Sequence, residues 1–191
     1  MNGEADDKTQ TVLKIKFPRL LDQPIRCAVT RQEVFYFVAP RGSLYKAARL
    51  PVWYHQEEQC YGLPDLNSHG VKAVSDQCGP AFDPDTGERS VSGEGLAEIR
   101  AYLAGRLPLP AKAPVVDSKV CQYENTSNGD FLLDRHPEAD NVWLAGGGSG
   151  RGFKHGPTVG DYLSHQIDGT GKVEPRSSLS SQGTVRKRTV F

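Results

Sequence analysis

The residues best suited to chemistry lie close together between Asn141 and Gly156, in the sequence NVWLAGGGSGRGFKHG. A short apolar run there leads into six glycines, one phenylalanine and one lysine, Lys154. A strand followed by a glycine-rich turn and a helix brings backbone N–H groups close to a phosphate or an electron-rich ring. Cys121, 33 residues before Lys154, adds a thiol. We therefore expect a ligand site here; a tight turn that binds nothing is the alternative.

The elements around these residues are predicted from apolar periodicity. A helix is predicted from Pro157 to Ile167, because apolar residues recur on one face and Pro157 suits a first turn, where its missing N–H costs nothing. Strands are predicted before it at 117–123, 131–134 and 142–145, with a turn at 127–129.

The preceding part of the chain has runs of β-branched and aromatic residues separated by turn formers, a pattern typical of an antiparallel sheet. The predicted strands are residues 25–30, 33–39, 52–55, 59–62 and 70–75. A helix is predicted from Gly93 to Ala104, capped by Ser92 and ending near Gly105. Three prolines predict a stiff linker at 108–114.

Composition excludes several classes of function. Lysine plus arginine and aspartate plus glutamate both total 23, so the formal net charge of zero gives no attraction to nucleic acid or an anionic membrane. No apolar stretch approaches the roughly 20 residues of a membrane span, and the polar N-terminus predicts a cytoplasmic protein. The four cysteines lack metal-ligand spacing, so no metal site is expected. Cys27, Cys60 and Cys78 are interpreted as small buried or half-buried residues.

The segment from Cys121 to Leu163 resembles the C-terminal part of flavin-dependent amine oxidases of the sarcosine oxidase, N-methyltryptophan oxidase and pipecolate oxidase type, in the D-amino-acid-oxidase-like (DAO) superfamily. That family has Cys-x-Tyr-x-x-Thr, then Asp, His-Pro, an apolar strand and Gly-x-Ser-Gly-x-Gly-Phe-Lys. The matching residues are Cys121, Tyr123, Thr126, Asp134, His136, Pro137, 142–145, Gly147, Ser149, Gly150, Gly152, Phe153 and Lys154. Weaker similarity upstream extends the resemblance to about 165 residues of the family's second half.

The resemblance implies FAD as the cofactor. Cys121 aligns with the cysteine that carries FAD through a thioether in the sarcosine oxidase-type members; an inert buried cysteine is the alternative. Lys154 aligns with a lysine that binds the substrate carboxylate, although it could be a plain surface lysine. The implied cofactor-binding residues are Cys121, Gly147, Gly148, Ser149, Gly150, Arg151, Gly152, Phe153 and Lys154.

The resemblance also implies roles for residues nearer the N-terminus. Lys72 follows Tyr61 by 11 residues, the family spacing, and would promote the reaction with O2 as the catalytic residue. Tyr61 would line the amine pocket. Asp76 stands where sarcosine oxidases have a substrate-pocket histidine, and Arg151 where many relatives have histidine. The alternatives are an outward-facing strand lysine for Lys72 and a core tyrosine for Tyr61.

The resemblance gives the expected fold class as α+β or α/β. It combines an antiparallel substrate-domain sheet with a helix and the C-terminal strand–helix piece of a Rossmann-like FAD-binding domain. The predicted regions are an N-terminal segment or linker (1–21), the substrate-binding domain (22–110), the C-terminal part of the FAD-binding domain (111–170) and an extended tail (171–191). No GxGxxG ends an N-terminal strand, so we expect the family's N-terminal βαβ unit to be absent, as in a truncated product, a split subunit or a cut fragment.

The predicted function is that of a C-terminal portion of an FAD-dependent oxidoreductase. It would oxidise a secondary amine or N-methyl amino acid to an imine and reduce O2 to hydrogen peroxide. The isolated chain is expected to bind FAD weakly and turn over slowly. Two alternatives stay open: a non-catalytic or split-subunit module that needs a Rossmann-containing partner, and an amine dehydrogenase with another electron acceptor.

Overall fold

The computed structural model describes residues 27–137 and 139–183. The predicted segment 1–21 and the first two residues of the predicted strand 25–30 lie outside these ranges. The described residues form two compact units, one of residues 27–30, 81–86 and 122–183 and the other of residues 31–80 and 87–121. We call them the first and second unit. The linear domain boundaries expected from the sequence stay predictions.

The second unit is built on a sheet in the order β2-β3-β4-β1-β5. Its strands are β1 (Cys27–Phe37), β2 (Trp53–His55), β3 (Cys60–Leu63), β4 (Val71–Ser75) and β5 (Val115–Thr126). The pairs β1–β4, β2–β3 and β3–β4 are antiparallel, which confirms the predicted hairpin and antiparallel sheet. β1 and β5 each continue into the first unit.

Two strand predictions need correction. Segments 25–30 and 33–39 were expected as separate strands, but one strand covers Cys27–Phe37, because Arg31 and Gln32 between them are not turn formers. The strand predicted at 117–123 is longer and runs over Val115–Thr126. In β5 the side chains keep alternating between the two faces of the sheet beyond both ends of the predicted segment, so the strand continues there as well.

One face of the sheet packs on helix α1 (Gly93–Arg106). The core there joins Phe35, Phe37 and Ala73 of the sheet to Ile99 and Leu103 of the helix. The side chain of Ser92 caps α1 as predicted by accepting the Gly95 N–H at 2.9 Å. The helix passes through Gly105 and ends two residues later than expected.

The predicted proline linker is wrong in its first part, because Pro108–Lys112 forms a short helix, α2. Pro108 and Pro110 lie in the first turn of α2, where backbone N–H groups have no partner within a helix. Their missing N–H groups therefore cost little. Pro110 and Ala111 are buried, and Ala111 belongs to the core beneath α1.

The first unit contains the antiparallel hairpin of β6 (Leu132–Arg135) and β7 (Trp143–Gly146), followed by helix α3 (Gly156–Ile167). All three lie within one residue of the predicted bounds. Cys27 and Leu132 form a small core with Leu144 and Leu179 packed against it. Within the described ranges, no helix is long and apolar enough to cross a bilayer.

The described part of the predicted extended tail is folded. Two 3₁₀ turns, Pro175–Ser177 and Leu179–Gly183, follow α3. The Asn128 side chain donates to the Arg176 carbonyl at 3.2 Å and to the Ser181 hydroxyl at 3.1 Å. Polar composition suggested an extended segment, but here the polar groups pair with the loop after β5.

Glu33 of β1 holds the start of α1. Its carboxylate accepts the Ser92 N–H at 2.9 Å and the Ser92 hydroxyl at 3.0 Å, and it pairs with Arg31.

We expect Glu33→Ala to lower the free energy of unfolding in urea by about 1–3 kcal/mol, since it leaves a half-buried donor unpaired. Glu94→Ala, at an exposed first-turn position of the same helix, should cost less than about 1 kcal/mol. Equal losses in both variants would refute this role of Glu33.

Candidate functional site

The second unit has a sheet face on the side away from α1 that carries a row of tyrosines and lysines. Tyr36 of β1 pairs directly with Lys72 of β4, and Leu63 of β3 pairs with Lys72 from the other side. Tyr61 lies two residues before Leu63 and therefore on the same face. Lys119 of β5 belongs to this face because its Nζ lies 5.6 Å from the Tyr36 ring centroid.

We call the set Tyr36, Tyr61, Lys72, Lys119 and Cys121 the tyrosine–lysine face. The Nζ atom of Lys72 lies 5.3 Å from the Tyr61 ring centroid, within cation–π range. The pKa of Lys72 is lowered from 10.5, chiefly because burial disfavours the charged ammonium. A thiolate at Cys121 opposes this shift, and the charge of Lys119 adds to it.

Cys121 is exposed on β5. It follows Lys119 by two residues and so points to the same face, and a thiolate at this position opposes the lowering of the Lys72 pKa. The structure thus brings Tyr61, Lys72 and Cys121, three of the sequence-predicted site residues, onto one face of one sheet.

The other cysteines divide by burial. Cys27 and Cys60 are buried, and burial raises the pKa of Cys27 to about 12 and that of Cys60 to about 11. Cys78 was expected to be buried or half-buried but is exposed, because it lies in the loop beyond β4 rather than in a strand.

We expect thiol labelling to follow this division. At pH 8, Cys121 and Cys78 should react with iodoacetamide at least about tenfold faster than Cys27 and Cys60, whose thiolate populations are suppressed by burial. Peptide mass spectrometry of a time course measures all four rates. In denaturant the four rates should converge; a fast native rate at Cys27 or Cys60 would contradict the burial.

Asp76 lies one residue beyond β4 and is buried. Its backbone N–H donates to the Gln59 carbonyl at 2.6 Å. Its charge also contributes to the raised pKa of Cys60, after burial and Glu58. Asp76 is therefore anchored at the edge of the β3–β4 hairpin.

In the first unit, the residues after β7 form a turn with left-handed backbone at three positions. The φ angles are 73° at Gly147, 45° at Ser149 and 75° at Gly150. Glu124 of β5 secures this turn: its carbonyl accepts the Ser149 N–H at 3.1 Å and its carboxylate accepts the Gly147 N–H at 3.1 Å. We call residues 146–152 the glycine turn.

Close packing explains the glycine at position 150. A Cβ there would lie 2.3 Å from the ring of Tyr123, the tyrosine of the Cys-x-Tyr motif. A Cβ at Gly148 would lie 3.2 Å from the Cα of Gly152, and a Cβ at Gly152 would lie 3.2 Å from the Cα of Gly148. The turn therefore presents backbone rather than side chains where positions 148 and 152 meet.

The glycine turn leads into a 3₁₀ turn, Phe153–His155, and then α3. Phe153 is fully exposed at 101% of its reference area, and Lys154 is also exposed. Arg151 is half-buried, and its N–H donates to the Gly148 carbonyl at 2.7 Å. Phe153 and Lys154 are thus accessible to a ligand in this unit.

Sequence reasoning missed three residues that contact or pair with the residues of these sites. Lys119 could have been found, because strand alternation places it beside Cys121. The pairing of Tyr36 with Lys72 could not have been found, because neither strand's own sequence specifies its register with a distant strand. Glu124 gave no signal, since its contact with Gly147 spans 23 residues.

The sequence pattern of the family described as FAD dependent oxidoreductase (DAO) matches residues 14–166. The chain belongs to this family. The match covers most of the chain and includes the motifs around Tyr61, Lys72, Cys121 and the glycine turn, so the resemblance stated from the sequence is confirmed.

The proteins that this chain resembles in sequence include sarcosine oxidases. The monomeric sarcosine oxidase of Bacillus sp. (strain NS-129) is 33% identical over 165 residues, covering 84% of this chain and 42% of that enzyme. Human peroxisomal sarcosine oxidase is 35% identical over 107 residues, covering 54% of this chain and 27% of that enzyme. The chain therefore spans less than half the length of these relatives.

Solved structures share the fold. Amadoriase I of Aspergillus fumigatus, a fructosyl amine:oxygen oxidoreductase, superposes with a TM-score of 0.68 at 23% identity, over 84% of this chain and 40% of that one. Fructosyl peptide oxidase from E. terrenum gives the same TM-score of 0.68 at 19% identity. At such identities the likeness concerns the fold alone.

The residues present fit the family's cofactor. An accessible thiol at Cys121 suits covalent attachment, and a half-buried ammonium at Lys72 suits charge stabilisation. In the first unit, five of the seven residues of the glycine turn are glycines, so few side chains stand between its main chain and a ligand.

Proposed function

We propose that this chain contributes the substrate-side residues and part of the FAD-binding residues of an amine oxidase. The enzyme would oxidise a secondary amine or N-methyl amino acid to an imine and reduce O2 to hydrogen peroxide. FAD, when bound, would supply the chemistry by taking two electrons from the amine and passing them to O2. Because the chain spans less than half of its relatives' length, the proposal concerns the whole enzyme that includes it.

The observation that carries the proposal is the position of Lys72 on the tyrosine–lysine face. Its ammonium is half-buried over Tyr61, on the sheet face that also carries the accessible Cys121 thiol. A cation in a low-dielectric setting stabilises negative charge that develops on oxygen more strongly than one in water does. Lys72 would thus promote oxygen reduction, and Tyr61 would line the amine pocket.

The remaining residues are assigned by the same proposal. Cys121 would carry FAD through a thioether, and the glycine turn with Phe153 would bind FAD through its backbone. Lys154, accessible and cationic, would bind the substrate carboxylate. Asp76 would influence which amine is accepted, since a buried carboxylate favours a basic group nearby.

Acid precipitation tests the cofactor assignment. We expect the protein, expressed with FAD and any segments that its gene supplies around these 191 residues, to keep yellow colour in the acid pellet. Cys121→Ser should lose all of that colour, because a hydroxyl does not replace a thiolate nucleophile. Cys78→Ser, at the other exposed cysteine, is the matched control and should keep it.

A peroxide assay tests the reaction class. Purified protein is supplied with sarcosine, other N-methyl amino acids and cyclic secondary amines, and hydrogen peroxide and imine are measured together. Equal yields of the two products from at least one such amine are expected. Imine formation only with an added dye would favour a dehydrogenase, and absence of both products with full FAD occupancy would refute the oxidase.

A further inference from the structure

The end of strand β5 lies against the glycine turn in the first unit. A Cβ at Gly147 would lie 2.4 Å from the Thr126 methyl group, just as a Cβ at Gly150 would lie 2.3 Å from the Tyr123 ring. Glu124 lies between these two residues of β5. The last residues of the strand therefore determine how closely the main chain of the turn approaches it.

Glu124 is hydrogen-bonded to two residues of the turn. Its carboxylate accepts the Gly147 N–H at 3.1 Å, and its main-chain carbonyl accepts the Ser149 N–H at 3.1 Å and the Ser149 hydroxyl at 3.3 Å. A Cβ at Gly146 would lie 3.3 Å and 3.4 Å from the two carboxylate oxygens, so the carboxylate lies against the main chain there. One residue thus fixes the first half of the turn.

The side chain and the main chain of Glu124 contribute differently to this arrangement. Any residue at position 124 offers a carbonyl to Ser149, but the bond to Gly147 needs a side-chain acceptor. The turn needs such support, because Ser149 has φ of 45°, a conformation that is unfavourable for most L-residues. A carboxylate that accepts a backbone N–H forms one of the stronger hydrogen bonds in proteins. A substitution at position 124 removes this bond and leaves the main-chain bonds in place.

We propose that Glu124 is a positioning residue of the FAD site, which acts by holding the glycine turn in the conformation that binds the cofactor. A loop that is already held in its bound conformation loses less entropy on binding. Without the carboxylate, the turn would spend part of its time in other conformations, and the apparent FAD affinity would fall in proportion. The inference rests on the proposed function, because it requires FAD to bind at the glycine turn.

Amide hydrogen exchange tests the hold on the turn without cofactor. In Glu124→Ala, we expect the N–H groups of Gly147, Ser149 and Arg151 to exchange at least about tenfold faster than in the parent, because the turn opens more often. Ser149 and Arg151 are decisive, since their N–H groups bond to main-chain carbonyls that the substitution leaves in place. Parent rates at both residues, measured by NMR, would mean that Glu124 fixes Gly147 alone and would overturn the proposal.

Two further variants separate the hydrogen bond from the charge and from a general loss of stability. Glu124→Gln keeps an oxygen acceptor on a side chain of the same length and removes the charge, so exchange in the turn should stay within about threefold of the parent. Rates as fast as those of Glu124→Ala would overturn the proposal. Glu174→Ala removes another carboxylate of the first unit that accepts a backbone N–H, that of Arg176 at 3.3 Å. It should leave exchange in the turn unaltered.

FAD affinity shows whether the hold on the turn matters for the cofactor. Reversible binding is measured by flavin fluorescence in the Cys121→Ser background, on protein expressed with any segments that its gene supplies around these 191 residues. Glu124→Ala should raise the Kd for FAD about 10- to 100-fold, whereas Glu124→Gln and Glu174→Ala should stay within about threefold of the parent.

The same measurement separates the role of Glu124 from the cofactor assignment itself. An unchanged Kd in Glu124→Ala would overturn the positioning role alone. Absence of FAD binding in the parent would refute the cofactor assignment, and the role of Glu124 with it. An equal loss of affinity in Glu174→Ala would also overturn the proposal, because the loss would then follow from lowered stability of the first unit.

Discussion

Replacing Lys72 by methionine should slow electron transfer to oxygen by about 10²- to 10³-fold, the loss typical of removing one preorganised charge at a developing oxyanion. Amine oxidation under anaerobic conditions should stay within a few-fold of the parent rate. Methionine keeps the unbranched stem against Tyr61 and removes only the ammonium. Anaerobic stopped-flow mixing with amine, followed by mixing with O2, measures the two steps separately.

The pH dependence of the oxygen step provides an independent check. Burial lowers the pKa of Lys72 below 10.5, so the ammonium is lost earlier than in an ordinary lysine as the pH rises. Oxygen reactivity should therefore be constant at low pH and decline as the pH passes the lowered pKa. Lys72→Met should lack this decline.

Lys112→Met is the matched control for the oxygen step, since Lys112 is exposed at the end of α2. It should react with oxygen at the parent rate. A normal oxygen step in Lys72→Met would refute the assigned role. Loss of both steps would indicate a structural role for the lysine.

Substituting Gly150 by alanine should destabilise the glycine turn by about 2–5 kcal/mol. The backbone there has φ of 75°, which costs an L-residue about 1–2 kcal/mol. The new methyl group would also lie 2.3 Å from the Tyr123 ring, and overpacking adds about 1–3 kcal/mol. Urea unfolding monitored by circular dichroism measures the loss, and FAD affinity should fall with it.

Alanine substitutions at two other glycines distinguish the backbone strain of Gly150→Ala from its steric overlap with Tyr123. Gly129 has φ of 77° and an open Cβ position, so Gly129→Ala should show the conformational cost alone. Gly160 lies in α3 with an open Cβ position, and alanine there should stabilise the protein by up to about 1 kcal/mol. A loss in Gly150→Ala no larger than in Gly129→Ala would refute the contact with Tyr123.

Local features were predictable where a few neighbouring residues contain all the necessary information. Ser92 was identified as a helix cap because the cap and its N–H partner are three residues apart. The β2–β3 hairpin and the start of α3 followed from turn formers and apolar spacing in the same way. The linker predicted from the prolines of 108–112 was wrong, because these prolines occupy the first turn of a helix.

Distant contacts escaped prediction for the opposite reason. Tyr36 and Lys119 are separated by more than 80 residues and meet only because β1 and β5 are neighbours in the sheet. Glu124 reaches Gly147 across a turn whose geometry depends on three left-handed residues. Strand order and register arise from packing of whole faces, which no short segment specifies.

The sequence by itself determined the family, the motif residues and the spacing of Tyr61 from Lys72, because these depend on residue identity and order. Only the tertiary structure decided that Cys121 and Cys78 are exposed while Cys27 and Cys60 are buried. It also decided that Tyr61, Lys72 and Cys121 share one sheet face with Lys119. Burial and shared faces depend on which strands pair, and pairing is a property of the folded chain as a whole.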